Sequence, residues 1–391
     1  MDKGGKIAII IIVSILFVLM VGGIIVYNLL YGQETTRGVE DVDFSSYTEK
    51  SLEASGAITS ITSGGVYTIS DQNIEGYIYV NTTDNVKIIL NNTTITNTSG
   101  PALYVENVDN LYIELQGEST LTANGNEELH AAIYSRDDVK ILGDGKLIIK
   151  SELDGIFVNN DLEIESGTIE ISSSDDGIVG EDSIVITGGN ITVDSTSDSI
   201  KSDGTITITS GDIKVTSKDD GIHADGMIEI NDGNIDIEAV EGIESTYIKI
   251  TGGTINISAS DDGINATNKS TDYSVKIEIT GGNITIKMGQ GDTDGIDSNG
   301  DLEITGGTIN ITGNSAFDYD GELTHTGGTI IVNGQETENI TNQFGGGMNG
   351  FGRGGNFQDT NTPPDQNGAT PPTDNTQDKR NFKQRENKKE A

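Results

Sequence analysis

Between Gly145 and Val332 apolar and polar residues alternate in short runs, and the alternation has a period of two. In the unit opening at Asp220 the apolar positions are Ile222, then Ile228 and Ile230, then Ile235 and Ile237. The next unit repeats them as Ile243, Ile248, Ile250, Ile255 and Ile257. A period of two puts successive side chains on opposite faces, so each run predicts a half-buried β-strand. No helical period occurs between Gly38 and Gly334, and β-branched residues dominate there.

The runs themselves repeat. A Gly-x-Ile-x-Ile/Val phrase starts at Gly167, Gly189, Gly211, Gly233, Gly253, Gly282, Gly307 and Gly328, at intervals of 22, 22, 22, 20, 29, 25 and 21 residues. Three short strands per ~22 residues, with glycine at the corners, describe one coil of a parallel β-helix. Stacked coils lie about 4.8 Å apart, so isoleucines one repeat apart would pile into a narrow aliphatic core. One coil cannot bury its own face, and stability accumulates through neighbours. A propeller blade needs about 40 residues or more per repeat, and a sandwich would not hold one register through eight units. The expected fold is all-β: a right-handed parallel β-helix (solenoid) over residues 58–334. Its first coils, around Val86–Leu90, Asn110–Leu115 and Val139–Leu142, drift in spacing, as terminal coils do. Residues 33–57 read as linker and N-cap, and the long intervals place extra loops at Asn265–Ser274 and Gly289–Asp292.

The two ends differ from this body. Ile7–Tyr31 is 25 residues without a charge, longer than the roughly 20 that span a bilayer core. Lys3 and Lys6 precede it, so the positive-inside rule leaves the N-terminus cytoplasmic and the solenoid outside. Residues 1–32 are therefore expected to be a single-pass signal-anchor helix in the cell membrane, with a cleaved signal peptide as the alternative. Residues 335–391 are Gly/Pro-rich with a basic end and read as a disordered tail.

Charge narrows the function. The formal net charge is −39. Residues 1–37 hold two acids and three bases, 335–391 eight and seven, and 38–334 the remaining 52 and 13. Such a body repels nucleic acid, whose phosphates need Lys and Arg in patches, and attracts cations. With no cysteine there is neither a disulfide frame nor a thiolate metal site.

The acids fall in file. The turn before each apolar point reads Leu153-Asp-Gly-Ile, Asp175-Asp-Gly-Ile, Ser197-Asp-Ser-Ile, Asp219-Asp-Gly-Ile, Val240-Glu-Gly-Ile, Asp261-Asp-Gly-Ile and Thr293-Asp-Gly-Ile. Coil by coil this stacks Asp154, Asp176, Asp198, Asp220, Glu241, Asp262 and Asp294, with doubled acids at Asp175, Asp219 and Asp261. After the apolar point come Asn159, Glu181, Asp203, Asp225, Asn299 and Asp320, and Asp297 and Asp318 follow it directly. Turn chemistry accounts for one acid per coil, because Asp bonds its own backbone and glycine accepts positive φ. Against that reading alone, carboxylates ~5 Å apart repel by about 3–4 kcal/mol at an effective dielectric of 20. A hard divalent cation offsets this, and Ca²⁺ takes six to eight oxygens in flexible geometry. The candidate calcium ligands are Asp154, Asp175, Asp176, Asp198, Asp203, Asp219, Asp220, Asp225, Asp261, Asp262, Asp294 and Asp297. Zinc is not expected: His130, His223 and His325 fall in separate coils, and of them only His223 is expected beside the ladder.

The phrases Val240-Glu-Gly-Ile-Glu-Ser, Asp261-Asp-Gly-Ile-Asn-Ala, Asp294-Gly-Ile-Asp-Ser-Asn-Gly and Phe317-Asp-Tyr-Asp-Gly, in that order, resemble the bacterial carbohydrate-binding domain family of surface β-helices. The resemblance is densest over 150–334 and reaches back loosely to about residue 55. It implies a polysaccharide-lyase-like solenoid, bound calcium at Asp176, Asp220, Asp262, Asp294 and their neighbours, and affinity for plant or wall polysaccharides, acidic ones included. Two coils depart from the phrase, with Ser199 in place of glycine and Glu241 in place of aspartate.

Three classes of function remain. The first is non-catalytic, calcium-dependent polysaccharide binding at the bacterial cell surface, with Lys201, His223, Tyr247, Asn265 and Asn299 as candidate sugar contacts. Between 150 and 334 aromatic residues are too few for a stacking platform, so calcium-bridged uronates or contacts from Asn190, Thr192, Asn256 and Asn310 are favoured. The second is a pectate-type lyase, which needs a base such as Lys201, Lys218 or His223 near calcium. The third is an adhesin or wall spacer. The pattern leaves the oligomeric state open.

Overall fold

The computed structural model describes residues 39–342 except 55, 127 and 290–292. The apolar run at 7–31 and the tail beyond 342 lie outside the described residues. Apart from one 3-10 turn, Phe44–Ser46, every regular element described is a β-strand. They wind into a right-handed parallel solenoid of about 12 turns with ~22-residue coils.

Each coil has three strands. In one coil these are a corner strand, Ile200–Ser202, a second strand, Thr205–Ile208, and a third strand, Asp212–Thr216. In the next two coils the corner and second strands merge into Asp220–Ile230 and Glu241–Ile250. Coil-to-coil register is residue on residue. Ile200, Ile222, Ile243, Ile264, Ile296 and Phe317 form the inward file of the corner strands. Ile206, Ile228, Ile248, Ile277 and Leu302 form that of the second strands. Ile191, Ile213, Ile235, Ile255, Ile284 and Ile309 form that of the third. All are buried and belong to one continuous core. The period of two is thus the cause of the fold: one face of these strands is apolar, mostly isoleucine, and only stacking hides it.

Both ends of the described body are closed. Asn333 (φ 51°) and Gly334 (φ 78°) make a two-residue turn, which sends Gln335–Thr337 back antiparallel against Thr329–Val332. Ile340 then packs on the core, and the Asn342 side chain donates to the Tyr319 carbonyl at 2.7 Å. The described structure continues from Gly334 through Asn342, where the last coil's edge finds a partner. At the other end the expected cap is a strap across the outer face of the first coils. Val39 and Phe44 pack on Val66, Ile89 and Tyr112. The Tyr112 hydroxyl accepts the Val42 N–H at 2.9 Å, and Lys140 pairs with Asp41 at 3.0 Å.

Candidate functional site

The acids before each corner strand do stack in file, and the structure gives them a task that sequence reasoning missed. Asp154 Oδ1 accepts the backbone N–H of Asp176 at 3.0 Å, Asp176 that of Asp198 at 2.9 Å, and Asp198 that of Asp220 at 3.0 Å. After a break at Glu241, Asp262 accepts that of Asp294 at 2.8 Å. The aspartates bond the next coil's backbone rather than their own. The accompanying glycines also act differently from the expected turn role. Gly177 has no positive φ; a Cβ there would lie 2.5 Å from the Ser199 carbonyl oxygen and 2.3 Å from a Val193 methyl. At Gly177 the constraint is close stacking of backbones, although Ser199 and Ala316 hold the same register column in other coils, whereas positive φ belongs to corner glycines such as Gly189 (φ 93°).

Over the first half of the file the chain supplies its own cations. Lys201 Nζ sits between Asp176 (3.2 Å) and Asp198 (3.1 Å). His223 Nδ1 lies 2.7 Å from Asp220 and 3.0 Å from Glu244, and its Nε2 lies 3.2 Å from Asp225. Lys269, on the expected extra loop, reaches Glu244 at 2.8 Å. His130 also adjoins the ladder, contrary to expectation, with Nδ1 2.6 Å from Asp154. Burial opposes the charge on His223, but the Asp220 and Glu244 hydrogen bonds outweigh it and push the imidazole up to about 10. Burial likewise opposes the Lys201 charge, and Asp198 and Asp176 more than compensate. Glu244, although burial pushes the other way, is drawn down to about 2 by His223 and Lys269. Ligand atoms of Asp198, Asp220 and His223, and of Asp220, Glu241 and Glu244, come within 4.8 Å of one another. These two groups have the spacing of metal ligands, and the His223 imidazole pairs with one carboxylate that they share, Asp220, and with Glu244 of the second.

The second half of the file differs. Asn265, Asp297 and Asp318 are successive residues of one outward register column, beginning where Glu244 ends. Among the described residues no lysine, arginine or histidine pairs with Asp262, Asp297 or Asp318. Burial, then Asp262, Asp318, Asp294 and Asp320, push the Asp297 carboxyl up to about 7. Burial also lifts Asp262 to about 6, against the Asp294 N–H, and Glu241 to about 7, against its Asn265 hydrogen bond. Four buried side-chain atoms lack a hydrogen-bond partner among the described residues, and three are here: Asn265 Oδ1, Thr293 Oγ1 and Asp318 Oδ1. Asn265 is only 8 % exposed, and its amide donates to Glu241 at 2.9 Å, which leaves its carbonyl oxygen unmatched. A buried oxygen without a donor costs roughly 1–3 kcal/mol. The donors of Asp262, Asp297, Asp318 and Asn265 Oδ1, with Asp294 alongside, are all oxygens, the type a hard cation such as Ca²⁺ takes and a soft one does not. Unlike the two groups above, no three of these carboxylates lie within 4.8 Å of one another.

The remaining candidates separate from this cluster. Asp175, Asp219 and Asp261 are exposed beside the file, and Asp203 is exposed one corner further on. Tyr247 lies on the second strand, its hydroxyl donating to Glu278 at 2.8 Å. Asn299 is exposed just after the strand Asp294–Ser298. Lys201 and His223 are ion-paired with the acids beside them.

Sequence reasoning also missed an aromatic file. The column containing Lys201 and His223 continues back through Val179, Phe157, Tyr134, Tyr104 and Tyr79. Tyr134 stacks on Phe157 at 5.0 Å and 22°, with the His130 ring 4.5 Å from Phe157. The signal was an aromatic residue in each of the three irregular coils, Tyr79, Tyr104 and Tyr134, followed by Phe157 in the first regular one, hidden because the spacing of the first three drifts.

A parallel β-helix with a laddered acidic edge is the class that fold and site define. Within that class, the family model of carbohydrate-binding domain-containing proteins matches residues 55–293 and again 241–344, and the chain belongs to this family. A curated relative from Acetivibrio thermocellus, a "carbohydrate-binding domain-containing protein", is 30% identical over 143 residues, 33% of this chain and 48% of its own length. The chain thus spans about half the length of that relative. Among solved structures, the gadolinium derivative of a polysaccharide lyase-like protein from C. thermocellum is similar at 24% identity and a TM-score of 0.38, over 74% of this chain and 94% of its own.

Proposed function

We propose that the solenoid is a non-catalytic, calcium-dependent binder of acidic polysaccharide, held at the bacterial cell surface by the apolar run Ile7–Tyr31. Family membership supports polysaccharide as the partner. The observation that carries the calcium reading is the unmatched Asn265 Oδ1 amid the uncompensated Asp262, Asp297 and Asp318. Those four side chains would hold the ion, while Glu241 orients Asn265 through its amide. A bound calcium ion supplies the positive charge by which a uronate carboxylate can bridge to an otherwise repellent acidic edge. Exposed Asp320 and Asn299, at the adjoining corner, offer hydroxyl contacts. Lyase chemistry is disfavoured on the same edge: a catalytic base must be unprotonated, and Lys201 and His223 are both held as cations at neutral pH.

The test is retention of the full chain on polygalacturonate, with calcium and with EDTA, for the wild type and Asp297→Asn/Asp318→Asn. Retention that needs calcium, and is lost in the variant, supports the reading. Equal retention in EDTA, or none in calcium, overturns it.

A further inference from the structure

The third strands carry a second patterned surface. Their outward residues form two adjacent register columns. One runs Asn190, Asp212, Asn234, Thr254, Asn283, Thr308; the other Thr192, Lys214, Asp236, Asn256, Thr285, Asn310. Every one of these positions has a carboxylate, amide, hydroxyl or ammonium group. Two open depressions of about 330 and 340 Å³ share Lys214, Asp236 and Asn256 and so join into one trough. A third, of about 450 Å³, adjoins through Asn190, Asp212 and Asn234.

Its polar groups are pre-set. Asn234 donates to Asp212 at 2.9 Å and Asn256 to Asp236 at 2.8 Å. Each bond fixes an amide plane and leaves its carbonyl oxygen and second N–H for another partner. The trough is also less acidic than its surroundings: Asp212, Asp232, Asp236 and Glu238 stand against Lys214 and Lys287, in a body where acids outnumber bases 52 to 13. Solubility is already served by that excess charge and does not call for amides and hydroxyls in every coil.

We propose that this trough binds a neutral, extended glycan chain along the solenoid axis, independently of calcium. One polar set recurs with every coil, about 4.8 Å, which is close to the advance of one sugar residue in an extended chain. Paired amide and carboxylate groups match the vicinal hydroxyls of a pyranose, each of which donates and accepts. Asp212, Asp236 and Glu238 would repel a uronate, which makes the preference opposite to that of the acidic edge. No aromatic ring lines the trough, so recognition is by hydrogen bonds. The inference rests on the carbohydrate-binding reading but uses a different face.

Isothermal titration of the full chain in EDTA with cellohexaose, xylohexaose and mannohexaose tests it. At least one should bind, within twofold of its affinity in calcium. Lys214→Ala/Asn256→Ala should weaken that binding tenfold or more, with melting temperature and calcium-dependent polygalacturonate retention unchanged. Thr285→Trp, which fills the trough from an outward position, should block it as well. Asp297→Asn/Asp318→Asn should leave it intact. The proposal is overturned if none of the three binds, if binding disappears in EDTA or with the Asp297 and Asp318 changes, or if a folded trough variant binds as the wild type does. Loss of polygalacturonate retention alone counts against the acidic edge and not against the trough.

Discussion

The Asp198 carboxylate accepts the backbone N–H of Asp220, one coil further on, at 3.0 Å. That bond changes the meaning of the acidic file. An array of carboxylates that repel through space is also an array of acceptors that ties each coil to the next, and Lys201 neutralises two of its members from the side.

Removing the acceptor should therefore cost stability even though it removes a negative charge. Asp198→Ala leaves the Asp220 N–H unmatched and should destabilise the solenoid by about 1–3 kcal/mol. Asp198→Asn keeps an acceptor oxygen and should cost less. Urea unfolding followed by circular dichroism separates the two; an alanine variant as stable as the wild type would refute the ladder's role.

His223 makes stability depend on pH. Its folded-state value, about 10, lies above the ordinary histidine value of 6.5, so its contribution is full below about 6.5 and fades as pH rises toward 10. Melting temperature should fall across that window. In His223→Leu, which strands Asp220 and leaves Glu244 to Lys269 alone, the protein should lose about 3–5 kcal/mol at pH 7 and show a flatter pH profile.

Gly177 should not accept a methyl group without strain, even though Ser199 occupies the same register column one coil on. At Gly177 the new carbon would sit 2.5 Å from a neighbouring carbonyl oxygen, and the overpacking should cost about 1–3 kcal/mol. A Gly177→Ala variant that melts with the wild type would mean that the coils can part without penalty.

Calcium should act at one half of the edge only. In EDTA, Asp297→Asn should raise the melting temperature, since it relieves repulsion among Asp262, Asp297 and Asp318. In millimolar calcium the wild type should gain stability and the variant little. Lys201→Met should lower stability without altering the calcium response; a changed response would move the ion to the first half of the file.

How much of this the sequence disclosed follows from which interactions are periodic. Ile222, Ile243 and Ile264 recur with the repeat, and their stacking was legible because each must be hidden by its counterpart in the next coil. The file from Asp154 to Asp294 was legible for the same reason. What escaped were contacts that repeat only once: Lys269 folding back from its loop onto Glu244, His130 meeting Asp154, the Asn265 amide turned toward Glu241. Several calcium ions along this edge were expected, and beside its first half the structure places Lys201, His223 and Lys269.

By itself, then, the chain's alternation and its ~22-residue period determined the strands, their parallel stacking and the line along which acids gather, because register between like coils leaves a side chain no other place to go. Only the tertiary structure decided which carboxylates are paired with a lysine or histidine, which are spent on a neighbour's N–H, and which have no cation paired with them among the described residues. Those choices hang on loop paths and side-chain directions that a repeat does not encode.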